Sequence, residues 1–378
     1  MTRGPLEGLV VADLSRVLAG PFTTMLLGDL GADVVKVEHP DGGDETRAWG
    51  PPFYGEHSTY YLAVNRNKRS VALDLKTEAG RRAARALAGR ADVLVENFKA
   101  GTLDRLGLGY EEVARDNPGL VWCSISGFGR GAGAELPGYD FLVQAMSGLM
   151  SITGPAGGEP TKVGVALVDV LTGLYATTGI LAALQERART GRGQRVEVSL
   201  LGSALASLVN QASSFLCTGA PPRAMGNRHP SITPYETLAT ADRPLVVAVG
   251  NDGQFARLCR AVGRDELAGD PRFATNVDRV ANRDELAALL EEALAARGAA
   301  DWVAALAEAG VPCGLVNDIG EAFALADRLG LGPVADAGGI PQVASPIGLS
   351  ATPVSYRLPP PALGEHTAEV LAWLATAP

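Results

Sequence analysis

The sequence predicts an α/β protein of two domains: a large one around a mostly parallel sheet, and a smaller α+β one. Three observations carry this. Short β-branched runs alternate with helix-length segments through the first third of the chain. Such spacing implies right-handed crossovers and a sheet covered on both faces, a Rossmann-like arrangement. The pattern changes after Leu200, where the turn-rich stretch 220–230 precedes new strand and helix signals. Finally, 378 residues, 47% hydrophobic and 20% charged, suffice for two cores.

Taken in order, Leu9–Leu14 reads as a strand and Ala19–Leu30 as a helix stopped at Gly31. Asp33–Glu38 is the next strand. A second unit follows with strand Ser70–Leu75, helix Glu78–Arg90 and strand Asp92–Glu96, and Leu120–Ile125 adds another strand. Val163–Val168 reads as a strand leading into a helix, Leu171–Gln185, stopped by Gly191 and Gly193. Beyond the turn-rich stretch come strand Pro244–Val249 and helices Gly253–Val262, Arg283–Ala296 and Ala300–Ala309. A last helix, His366–Leu374, is expected to return to the large domain. The expected division is 1–200, completed by 319–378, for the large domain, 201–225 for a linker and 226–318 for the small domain.

Composition narrows the function. A net charge of −9, with no basic stripe to offset it, argues against a nucleic-acid or anionic-membrane partner. Cys123, Cys217, Cys259 and Cys313 form no Cys-x-x-Cys pair, which fits reduced thiols in the cytoplasm. His39, His57, His229 and His366 lack metal-ligand spacing, so no metal site is expected. The opening residues show neither an apolar signal core nor Arg-rich transit character. The apolar segment around residue 169 is long enough to span a bilayer, but Asp, Thr and Gly interrupt it, and it reads as core.

That segment holds the most informative residue, Asp169, alone among ionisable groups until Tyr175 and the only charged one from Val163 to Gln185. An isolated buried carboxylate is costly unless something uses or compensates it. Spacing leaves two readings open. It is either an N-cap with a structural role, or a nucleophile held ionised by a helix N-terminus, worth about 0.3–1 kcal/mol.

The first strand-to-helix turn, Asp13-Leu-Ser-Arg-Val-Leu-Ala-Gly-Pro21, is not Gly-x-Gly-x-x-Gly, which disfavours a nicotinamide enzyme. A helix N-terminus there can still receive phosphate beside Arg16. Asn65-Arg-Asn-Lys-Arg-Ser70, Lys76, Lys99 and Arg105 make a basic region that is either a pocket for a phosphate-rich ligand or a solvated face. Asn97 and Phe98 end a strand at the ligand-bearing edge and suit a base or a pantetheine arm. The loop from Gly226 to Tyr235 offers backbone N–H groups and His229 to an oxyanion, or simply links domains.

Together these segments resemble the class III CoA-transferases, which include formyl-CoA transferase and carnitine CoA-transferase. The resemblance runs from Leu6-Glu-Gly to Gly364-Glu-His-Thr-Ala-Glu369. It is carried by Arg16-Val-Leu-Ala-Gly-Pro, Gly31-Ala-Asp-Val-Val-Lys-Val-Glu, Asn67-Lys-Arg-Ser, Asp92-Val-Leu-Val-Glu-Asn-Phe, Leu103-Asp-Arg-Leu-Gly, Thr190-Gly-Arg-Gly-Gln and Val311-Pro-Cys-Gly. It implies an interlocked, ring-like homodimer with Asp169 as catalytic nucleophile and a coenzyme A thioester as substrate rather than a resident cofactor. CoA contacts carry over to Arg16, Val17, Leu73, Lys76, Asn97, Phe98 and Arg105. A loop over the site carries over to Gly226, Asn227 and His229.

Trp49-Gly-Pro-Pro-Phe53, Ser58-Thr-Tyr-Tyr61, Gly148-Leu-Met-Ser-Ile-Thr-Gly-Pro155, Ser231-Ile-Thr-Pro-Tyr235 and Gly250-Asn-Asp-Gly-Gln-Phe255 point to a branch with succinyl-CoA as donor and a dicarboxylate such as glutarate as acceptor. Arg47 and Arg228 are candidate cations for the acceptor's distal carboxylate. Leu18 replaces the glutamine beside the small acyl group of formyl-CoA transferase, which argues against formyl or oxalyl specificity. An aspartate of ordinary pKa, ~3.9, is expected to be ionised at neutral pH and to need no general base. The alternatives are an α-methylacyl-CoA racemase and a non-catalytic CoA binder. Tyr139, in Gly138-Tyr-Asp140, stands where racemases have a histidine and is a poor base near neutrality.

Overall fold

The computed structural model describes residues 4–376. Met1–Arg3, part of the stretch read for a targeting signal, lies outside them. The chain divides into two compact units. The first comprises residues up to Leu149, Lys162–Pro221 and the chain from Leu331 on; the second comprises Met150–Thr161 and Pro222–Gly330.

The first unit is built on six parallel strands in the spatial order Lys68–Ala72, Asp33–Glu38, Val10–Asp13, Val93–Glu96, Val121–Ser126, Arg195–Ser199. The chain works outward from Val10–Asp13 in one direction, then restarts beside it with Val93–Glu96 and runs the other way. The carboxyl ends of those two strands form a topological switch point, where open α/β sheets bind ligands. Side chains alternate across the sheet as a period of two requires. Val11 and Val34 join a core with the helices Ala19–Asp29 and Leu167–Thr190. Ala12 and Val35 join the opposite core with Leu87 of the helix Glu78–Arg90 and Val370 of the last helix, Thr367–Ala375. That last helix packs on Glu78–Arg90 and on the edge strand, where Arg69 reaches Glu369 at 2.9 Å.

The second unit holds a three-stranded antiparallel sheet in the order Cys313–Leu315, Leu245–Ala248, Tyr235–Leu238. Helices Asp252–Ala261, Arg283–Leu294 and Ala299–Glu308 close over it around Phe255, Leu258, Leu290 and Trp302.

Three sequence expectations change, and one strand was not foreseen. The stretch expected as a strand at 163–168 joins no sheet. Val163 N–H goes to Gln144 Oε1 at 2.9 Å, and the Val165 carbonyl accepts from Gln144 Nε2, so a side chain takes the place of a neighbouring strand. The helix therefore begins at Leu167, with Asp169 in its first turn. The stretch expected as a linker, 201–225, is largely helical within the first unit, as Leu200–Ser207 and Val209–Thr218. Residues 319–330, read with the large domain, group with the second unit and form the helix Ile319–Arg328. The strand Arg195–Ser199 carries no apolar run, because Arg195 and Glu197 interrupt it at the sheet's edge.

The helix Leu167–Thr190 is long and apolar enough to cross a membrane by length and composition. Here it sets Val168, Thr172, Ala176, Ile180 and Ala183 into the core beside the Ala19–Asp29 helix and ends on Gly191, whose φ of 73° few other residues adopt cheaply.

Candidate active site

Asp169 is 9% exposed, at the third position of its helix, and lines a cavity at the carboxyl ends of the sheet with Arg16, Val17, Asn97, Phe98 and Tyr139. A second cavity of about 400 Å³ is lined by Leu73, Lys76 and Arg105, and shares Arg16 and Phe98 with the first. The seven positions assigned to CoA thus fall on two adjoining cavities at the switch point. Asp169 lies on the first cavity, and the cations Lys76 and Arg105 lie on the second.

The turn that carries Arg16 is heavily braced. Val17 has φ 70°, a left-handed conformation that is a true outlier for a β-branched residue. Its N–H points at the Asp44 carboxylate, 3.3 Å away. Asp44 is held by Lys36 at 2.9 Å, and Lys36 also donates to the Ser15 carbonyl. Beneath them Lys68 bridges Asp13, the Pro21 carbonyl and Asn65. Burial alone raises the Asp13 carboxyl, but Lys68, Lys36 and two hydroxyls bring it down to about 2. Burial pushes Lys68 down to about 8 against the pull of Asp13.

The basic stretch 65–70 is therefore not part of a phosphate site. Arg66 forks onto Asp29, Lys68 lies under the turn, and Arg69 pairs with Asp33. Asn97 likewise spends its amide on the protein, gripping the backbone of Arg16, while the Phe98 ring lies 5.7 Å from the Arg16 guanidinium.

Around Asp169 the geometry overturns the expectation of a carboxylate held ionised by its helix. The first-turn amides are used elsewhere. Leu167 N–H bonds the Val165 carbonyl, while Val168 and Asp169 N–H bond Asp140 Oδ1 at 2.8 and 3.2 Å. No hydrogen-bond donor among the described residues reaches the Asp169 carboxylate. Burial first, and the Asp140 charge second, push it up to about 7, so it is partly protonated at neutral pH. It is not the N-cap either; that position is Ala166. Tyr60, raised to about 12 by burial and then by the Asp169, Asp140 and Asp44 charges, stays a neutral hydroxyl.

Asp140, Gln144 and Tyr60 were not singled out from sequence. The available signal was the Asp140–Gln144 spacing of four, which puts both side chains on one helix face.

Arg47 is committed to structure. It forks onto Glu38 at 2.7 and 2.8 Å, and its guanidinium lies 3.8 Å from the Tyr61 ring centre. In the second unit, Arg228 bonds Glu236 at 2.9 Å and Asp284, so it too is neutralised. The loop's amides are largely spoken for: Gly226 N–H goes to the Gly154 carbonyl and His229 N–H to the Tyr235 carbonyl. Asn227 donates to Thr237 Oγ1, and His229 Nδ1 accepts from Ser231 N–H, its ring against Tyr235.

A parallel sheet of this order, with a buried carboxylate in a cavity at its switch point and a cation-flanked cavity beside it, is the architecture of an α/β enzyme. The chain belongs to CoA-transferase family III, whose model matches residues 6–367. It is 47% identical over 384 residues to succinate–glutarate CoA-transferase of Agrobacterium fabrum, covering 98% of this chain and 96% of that one. It is 43% identical over 373 residues to succinyl-CoA:glutarate CoA-transferase of Mus musculus, covering 97% and 86%. A CAIB/BAIF family protein from Brucella suis has the same fold, with TM-score 0.89 and 47% identity, covering 99% of this chain and all of that one.

Proposed function

We propose that this family III CoA-transferase moves CoA from succinyl-CoA to a dicarboxylate such as glutarate through covalent intermediates on Asp169. The observation that carries the proposal is the Asp169 carboxylate, buried without a donor at the end of the cavity that Arg16 and Phe98 share with the Lys76 pocket. The names of the two glutarate-acting relatives support the choice of acids.

Deprotonated Asp169 adds to the thioester carbonyl and expels CoA thiolate, leaving a succinyl–aspartyl anhydride. The thiolate adds to the aspartyl carbonyl and releases succinate, leaving an aspartyl-CoA thioester. The acceptor carboxylate attacks that thioester, giving a new anhydride and thiolate. The thiolate then takes the acceptor's acyl group and frees Asp169. Anhydrides hydrolyse, so the apolar surroundings that raise the Asp169 pKa also protect the intermediates.

The reading includes a homodimer, with each site completed by the small unit of a second copy. The resemblance motivates it, together with apolar surface left open on the large unit: Leu174, Tyr175 and Leu181 on the long helix, and Val209, Phe215 and Leu216 on a helix with no buried residue. Its free, unpaired cysteines fit a cytoplasmic setting.

The test is peptide mass mapping after incubation with succinyl-CoA and hydroxylamine. A hydroxamate on Asp169 is expected. An unmodified Asp169, with solvent deuterium entering a 2-methylacyl-CoA instead, overturns the proposal in favour of a racemase.

A further inference from the structure

We propose that Asp140 is a positioning residue that sets the reactivity of Asp169 by occupying the helix N-terminus that would otherwise hold the Asp169 carboxylate. The inference rests on the reading of Asp169 as nucleophile.

An aspartate at the third position of a helix ordinarily gains from the free amides and positive end of its own first turn. This helix starts on Ala166, which has no side-chain acceptor to offer. Asp140, at the start of the helix Asp140–Met146, supplies the cap from another element. Its Oδ1 accepts from Val168 N–H at 2.8 Å and from Asp169 N–H at 3.2 Å. Its other oxygen is pinned by Gln144 Nε2 at 2.6 Å. Gln144 in turn holds the approach to the helix through Val163 N–H and the Val165 carbonyl. The cap is thus fixed at both carboxylate oxygens, and its charge lies against the nucleophile's own backbone N–H.

The consequence is chemical. A carboxylate bonded to two or three amides is a stable, weak nucleophile; one denied those donors keeps its lone pairs exposed to an incoming carbonyl. The same arrangement disfavours the charged form, so the reactive state is reached only as pH rises, a trend the direction of the Asp169 shift supports.

Other groups around this helix do not compete for the role. The Ala19–Asp29 helix contributes Asp29, neutralised by Arg66; the Arg195–Ser199 strand contributes Arg195 and Glu197, paired with each other. The Val121–Ser126 strand offers only the buried thiol Cys123, and the Leu200–Ser207 helix has no titratable side chain. The Thr59–Val64 helix brings Tyr60, a neutral phenol, and Arg16 lies on the same cavity wall.

Asp140→Asn keeps a carbonyl acceptor for the two amides and removes the charge. The half-titration point of Asp169, read in the unliganded protein by pH-dependent carbodiimide labelling with peptide mapping, is expected to fall by at least one unit. The acidic limb of the pH profile of kcat/KM should fall with it. In Asp140→Ala the amides are released to Asp169, so transfer at the pH optimum should drop at least tenfold below Asp140→Asn, with the KM for CoA thioester nearly unchanged. Rescue by Asn of what Ala loses separates positioning from a general loss of folding, which circular dichroism monitors in both. A half-titration point equal to that of the unaltered protein overturns the role of Asp140 while leaving the hydroxamate test of Asp169 intact. A titration that moves without the rate profile keeps Asp140's influence on Asp169 and overturns Asp169 as the reacting group.

Discussion

Asn97 holds Arg16 by its backbone across the switch point of the sheet. Asn97 Oδ1 accepts the Arg16 N–H at 3.0 Å, and Nδ2 donates to the Arg16 carbonyl at 2.7 Å, joining segments 81 residues apart. The pair fixes where the Arg16 side chain starts, and so where the wall between the two cavities stands. Each neutral hydrogen bond is worth about 0.5–1.5 kcal/mol. Asn97→Ala should therefore raise the KM for acyl-CoA roughly tenfold and change kcat much less, as steady-state kinetics with varied donor will show. An equal fall in kcat would mean that the clamp also places the acyl group.

Asp169 should weaken the protein above neutral pH. Its folded pKa, about 7, lies above the ordinary value of 3.8. Its favourable contribution is therefore fully present below about pH 4 and is lost as pH rises through 7. Asp169→Asn escapes that loss. Chemical denaturation should find the variant more stable than the parent by on the order of 2–4 kcal/mol at pH 8, with the difference closing below pH 4. A constant difference across that window would show that Asp169 has an ordinary pKa.

Lys36 should be indispensable to the braced turn. It is fully buried and is the cation that Asp44 and the Ser15 carbonyl share. Lys36→Met leaves the Asp44 charge buried without its partner, which typically costs about 3–5 kcal/mol. Urea unfolding should report that loss, and CoA affinity should fall in any variant that still folds.

Arg47 should act on stability rather than on acceptor choice. Removing it strands Glu38, whose carboxyl this guanidinium and Lys36 hold below the usual range against burial. Arg47→Ala is expected to lower stability by about 3 kcal/mol and to shift donor and acceptor KM together. A selective rise in acceptor KM would return Arg47 to the substrate.

The parts of this molecule that were legible in its sequence are those where periodicity alone decides. Asp33–Glu38 and Glu78–Arg90 fall where the pattern put them, the latter because Thr77 caps it and its apolar positions keep to one face. The basic stretch 65–70 stood open between a phosphate pocket and a solvated face, and Lys36 had no assigned role. Lys36 and Lys68 look like surface residues until their partners Asp44 and Asp13 are brought in by the fold, and no local pattern announces pairs 8 and 55 residues apart. Asp169 was found because it is chemically alone in an apolar run. Its protonation was not, because that depends first on how deeply the fold buries it and then on Asp140, 29 residues earlier and in a different helix.

The large unit is also discontinuous in time. Arg69 and Glu369, 300 residues apart, meet across it, and Asn67 takes the Ser355 carbonyl and the Arg357 and Leu358 amides as partners. During synthesis the small unit is translated in full before those partners exist. The large unit's outer strand must therefore wait with Asn67 holding only Asp29 and Arg69 holding only Asp33, half their bonds unmade until residues 355–369 arrive.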